Sequence, residues 1–114
     1  MKYWKGLILV ALLGGLFISG LSTDVLSQVA PGQRIKGTIP VEEGADYKAL
    51  AKITREQARN AAQEELPGAT YEEADLEEED GYLVYEVEMR ENGRDVEVLV
   101  DAGDGSVLRV DRHD

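Results

Sequence analysis

Leu66-Pro67-Gly68 divides this chain into two kinds of pattern. Before it, Ala58, Ala61, Ala62 and Leu66 recur at helical spacing. After it, apolar side chains fall on every second position, so the hydrophobic period drops from about 3.6 residues to about 2. A chain with that switch commits to a helix followed by strands. Proline pushes the residue before it out of the helical region, and Gly68 is free to take a positive φ, so the helix has a defined end. Its start is equally marked: Thr54-Arg55-Glu56-Gln57 reads as a capping box, with Ile53 placed to pack back on Ala58. The predicted helix covers 55–65, and its apolar face is narrow and made mostly of alanine, which lets it lie close on a sheet.

Beyond the break, Thr70 to Glu79 carries Ala74 and Leu76 on one face. Asp80-Gly81 and Asn92-Gly93 are strong two-residue hairpin turns. Between them Leu83, Tyr85, Val87 and Met89 alternate with Val84, Glu86, Glu88 and Arg90. Val96, Val98 and Val100 then alternate with Glu97, Leu99 and Asp101, and Val107 to Val110 follows the turn Ala102-Gly103-Asp104-Gly105. The expected fold class is α+β: one helix packed on a three- to four-stranded antiparallel meander, spanning residues 49–114. A unit of this size buries only about 60% of its unfolded surface, which leaves little room for a deep pocket.

Two segments precede it. Residues 1–27 place Lys2 and Lys5 before an uncharged run, Gly6 to Thr23, the layout of a secretory signal peptide or of an N-terminal membrane anchor. Either way, the rest of the chain is expected outside the cytosol: periplasmic, extracellular or tethered to the outer face of the cytoplasmic membrane. Residues 28–48 read as a linker. Ile35, Ile39 and Val41 alternate within it, so a short edge strand is the alternative to a plain tether.

Charge narrows the functions open to the chain. Its net charge is −11, and residues 31–114 carry 22 acidic side chains against 10 basic ones. That excludes the basic footprint of a nucleic-acid binder and docking of the folded part on an anionic membrane, so membrane contact is expected only through the N-terminal segment, if it stays uncleaved. No cysteine is present and His113 is the one histidine. Disulfides, thiolate sites and histidine-based catalysis are therefore ruled out or starved of residues. Motifs for acyl transfer, zinc hydrolysis, phosphate cradling and dinucleotide binding are missing, and neither catalysis nor a cofactor is expected.

The segments Ile53-Thr54-Arg55-Glu56-Gln57-Ala58, Leu66-Pro67-Gly68-Ala69, Glu79 to Glu88 and Val98 to Leu108, in that order and spacing, resemble the PepSY domain family over roughly 50–111. The resemblance implies an exported, non-catalytic module that inhibits or regulates peptidases near the cell surface. No peptidase domain follows within these 114 residues, so the expected action is in trans, on a protein partner such as a peptidase. The candidate partner-binding residues are Glu77, Glu78, Glu79, Asp80 and Tyr82, in and beside an acidic run of seven carboxylates in nine positions. Against this stands a solvated strand kept charged to blunt an exposed edge. The alternative function is an acidic envelope cation-binding protein, with Asp101 and Asp104 as calcium ligands, although that turn lacks the EF-hand order. Lys48, Lys52, Arg55 and Arg59 form a basic stripe at the helix entry.

Overall fold

Asp80 and Gly81 both take positive φ (52° and 90°), and so do Asn92 and Gly93 (55° and 79°). This is the paired left-handed geometry of type I′ turns, whose twist matches that of the strands they join. In the computed structural model, which describes Val29 and residues 33–113, the two turns set the register of an antiparallel sheet. Its strands are β1 (Thr70–Glu79), β2 (Tyr82–Glu91), β3 (Arg94–Asp101) and β4 (Val107–Arg112), in the spatial order β1-β2-β3-β4. The expected α+β meander is therefore present, with four strands. The signal peptide or anchor expected at residues 1–27 lies outside the described residues.

Helix α2 (Arg55–Glu65) crosses one face of this sheet, entered through a single turn, α1 (Tyr47–Leu50). Its capping box is complete: the Gln57 N–H donates to Thr54 Oγ1 (3.1 Å), and the Thr54 N–H donates to Gln57 Oε1 (2.8 Å). The far end is closed differently from the sequence expectation. Gly68 does not adopt positive φ. Instead Leu66 leaves the helix at φ −127°, ψ 75°, the Ala69 N–H donates to the Leu66 carbonyl (3.1 Å), and Gln63 Nε2 reaches forward to the Leu66 and Ala69 carbonyls (3.1 and 2.7 Å), so a side chain braces the connection that follows the helix.

Alternation along the strands then assigns two faces. Leu83, Tyr85, Val87 and Met89 of β2, with Val96, Val98 and Val100 of β3, meet Ala58, Ala62 and Leu66 of the helix in one core. Ala58 and Ala62 are fully enclosed, because alanine lets the helix backbone approach the sheet. The helix entry is tied to the β3–β4 turn by the Lys52 and Ile53 N–H groups, both donating to the Ala102 carbonyl (2.9 and 3.2 Å). The Tyr85 hydroxyl donates to the Ile53 carbonyl (3.0 Å), which gives this buried aromatic its polar partner.

Residues 33–41, within the segment read as a linker, pack on the sheet. Ile35 is buried against Val84, Leu99 and Leu108 on the face away from the helix, and Ile39 is buried in the helix-side core. The segment thus wraps round the end of the sheet from one face to the other. Its strand-like contribution is a single bridge, Pro40 to Tyr82, flanked by bonds from the Leu83 N–H to the Ile39 carbonyl and from the Val41 N–H to the Gly81 carbonyl (2.9 Å each).

Candidate functional site

The face of the sheet away from the helix carries acidic side chains from all four strands. Strand pairing sets Glu73 opposite Glu88, Glu88 opposite Glu97 and Glu97 opposite Asp111, and it sets Asp75 opposite Glu86. Like charges directly across a strand pair repel, so this face is held together by other parts of the fold. Glu86 shows the strain most clearly: partly withdrawn from water and facing Glu97, Glu77, Glu88 and Glu79, its carboxyl is pushed up to about 7. Burial also lifts Glu97, with Asp111 adding to the effect and His113 working against it. Glu73 is raised, first by a hydrogen bond shared with Asp75. Each shift has the sign expected when carboxylates are crowded or desolvated.

Among the described residues, one buried cation is set into this face, while Arg90 on the same face is exposed and pairs with Asp95. Arg109 is almost enclosed, and its guanidinium donates to Asp111 Oδ2 (2.9 Å), Glu79 Oε2 (3.2 Å) and the Gln33 carbonyl (2.9 Å). It therefore links β4 to the end of β1 and to residues 33–41. Glu77, Glu86, Glu88 and Glu97 make no ion pair with any described residue. The face can attract cationic groups.

The five residues singled out for partner binding do not share one environment. Glu77 and Glu78 are exposed, and Glu78 accepts a hydrogen bond from the Gly81 N–H. Glu79 pairs with Arg109. Asp80 Oδ2 accepts from the Ile35 N–H (2.7 Å), and Tyr82 is half-buried with Gly37 against its side chain. Glu77 and Glu78 are thus open to a partner, whereas the other three fasten the hairpin to residues 33–41. Glu86, Glu88, Glu97 and Arg109 were not singled out in the sequence. The available signal was the period of 2, which puts them on the polar face; strand register is needed to bring them beside Glu77.

Asp101 and Asp104 do sit together in the β3–β4 turn. Asp101 is 1% exposed, and its Oδ1 accepts from the Gly103 N–H (2.9 Å) and the Thr38 hydroxyl (3.1 Å), while its Oδ2 has no partner. Burial raises its carboxyl, the two hydrogen bonds oppose that, and Asp104 adds to the rise. Against its own partial burial, Asp104 is held below the ordinary range by the Ser106 hydroxyl and N–H. Among the described residues, no group of three or more acidic or histidine side chains gathers as a metal site.

On the opposite side of the molecule, Lys48, Lys52, Arg55 and Arg59 are exposed, and Arg59 lies over the Tyr71 ring, 4.6 Å from its centroid.

The family model for the peptidase propeptide and YPEB domain, PepSY, matches residues 52–111, which run from the residue that docks on Ala102 to the last acid of the sheet face. No curated protein and no solved structure matches the sequence. Domains of this type are associated with peptidase propeptides and regulatory roles, and they occur in exported proteins.

Proposed function

Given that the chain belongs to the PepSY family, we propose that it is an exported, non-catalytic module that binds and regulates a protein partner, a peptidase being the first candidate. The observation that carries this reading is the open sheet face on which Glu77, Glu86, Glu88 and Glu97 make no ion pair with any described residue. Crowded carboxylates that repel one another gain most from a cationic surface laid over them, so the partner is expected to present lysine and arginine there. Glu78 pairs with Leu83 and so stands on the other face, while Glu79, Asp80 and Tyr82 hold the rim of the surface near the β1–β2 turn.

The test is hydrolysis by a co-exported metallopeptidase, measured as the purified chain is added to stoichiometry. Activity is expected to fall, less so at high salt, and the effect should vanish when Glu77, Glu86 and Glu88 are changed together to Lys. Arg55→Glu on the far side should leave it intact. Unchanged hydrolysis, or equal inhibition by the charge-reversed chain, would overturn the reading.

A second reading, cation binding at Asp101 and Asp104, draws on the unpartnered Oδ2 of Asp101 beside a second carboxylate. Calcium at millimolar concentration should then raise the melting temperature, because a ligand specific to the folded state stabilises it. No heat and no rise would dispose of it.

A further inference from the structure

The sheet face away from the helix has an apolar end as well as an acidic one. Val84 and Leu99 are wholly buried there and Leu108 is 6% exposed, covered by Ile35 with Val29 beside it. The cover comes from residues 33–41, which lie outside the family match at 52–111. The segment is gripped mainly through its backbone. The Ile35 N–H donates to Asp80 Oδ2, the Gln33 carbonyl accepts from Arg109, and the backbone groups of Ile39 and Val41 bond to Leu83 and Gly81. One side-chain latch, Thr38 to Asp101, is added. Gly37 lies directly on Tyr82, and Gly103 lies under Thr38, where a Cβ would run into the Thr38 hydroxyl. After Val41 the chain passes through an exposed turn, Glu42 to Gly44, with Gly44 at φ 84°.

A groove that holds a segment by its N–H and carbonyl groups, and takes up one aliphatic side chain, recognises extended peptide more than a particular sequence. We propose that the groove floored by Val84, Leu99 and Leu108 and walled by Asp80, Asp101 and Arg109 is a binding site for an extended peptide bearing a branched aliphatic side chain. Residues 33–41 fill it in cis, so a partner segment of that kind has to displace them. The proposal stands apart from the use of the carboxylate face and does not need a peptidase partner.

The experiment starts from the full chain with a protease site in place of the exposed Glu42-Glu43. The folded protein is cut, and a labelled peptide spanning Gln33 to Val41 is added. The peptide is expected to exchange into the cut chain saturably and to shift the methyl resonances of Val84, Leu99 and Leu108. The melting temperature of the cut chain should rise with peptide concentration. The same peptide carrying Ile35→Asp should do neither. If cutting costs the fold, the peptide should restore the strand signal in circular dichroism. A cut chain that keeps its melting temperature and takes up no peptide would overturn the proposal. So would equal binding of the Ile35→Asp peptide, or failure of the peptide to restore a fold lost on cutting.

Discussion

The two faces of the sheet are built from alternate residues of the same strands, yet they are finished in opposite ways. Toward the helix, Leu83, Tyr85, Val87 and Met89 with Val96, Val98 and Val100 present a continuous apolar surface that a local element, formed just before the sheet in sequence, covers. Away from it, Val84 and Leu99 are apolar at positions where the alternation elsewhere gives acids. Their cover comes from Ile35, which is 49 residues before Val84 in the chain and is held by a bond to Asp80 that spans 45 residues. The first face spends its residues on stability. The second divides them between a small plugged patch and a field of carboxylates that disfavours folding, which is where a binding function is affordable.

That contrast can be broken most sharply at Leu83. It is fully buried on the helix side, and Leu83→Ala should cost about 3–5 kcal/mol in urea unfolding, most of the stability of a domain this small. A change of less than about 1 kcal/mol would mean that the helix does not close that face. Ile35→Ala on the other face should cost less, about 2 kcal/mol, because a segment outside the helix and strands can settle into the gap. Arg109→Ala should fall in the same range, since it strands Asp111 in a half-buried site, with Glu79, about one-third exposed, softening the loss.

Gly103→Ala should cost about 1–3 kcal/mol by driving the new methyl into Thr38. In a Thr38→Ala background it should cost clearly less; additive losses would show that the two do not meet. The smallest effect belongs to Glu86. Its folded carboxyl titrates near 7, above its ordinary value of 4.5, so stability present at lower pH is lost as pH rises through that interval. Thermal melts from pH 4.5 to 8 should show that decline, and Glu86→Gln should flatten part of it. An identical slope in the variant would remove Glu86 as a contributor.

Much of the helix-side architecture was legible because its causes are local. Thr54 and Gln57 fix the start of the helix, Pro67 its end, and Asp80-Gly81 and Asn92-Gly93 the hairpins, each within four residues. Gly68 does not take the positive φ open to it; the connection is closed by the Ala69 N–H on the Leu66 carbonyl and by Gln63, three residues before the helix C-cap, reaching forward to the Leu66 and Ala69 carbonyls. On the other face the relevant partners are remote. Glu78 and its acidic neighbours are visible as a run, but Glu97 joins Glu86 only through strand pairing. Thr38 finds Asp101 across 63 residues, a contact that no local period encodes. The alternation of Ile35, Ile39 and Val41, and the apolar Val84 and Leu99 on the polar face, were the sequence hints that the two meet.

The acidity of β1 has a further consequence. This strand lies at one margin of the sheet, and along it Glu72, Glu73, Asp75, Glu77, Glu78 and Glu79 crowd ten residues. A second copy aligning margin to margin would set two such rows a few ångströms apart, and their mutual repulsion makes that alignment costly. At the other margin, Val29 already donates its N–H to the Leu108 carbonyl of β4. The β1 margin is thereby discouraged from growing into a fibre, and the β4 margin is met by the chain itself at Leu108.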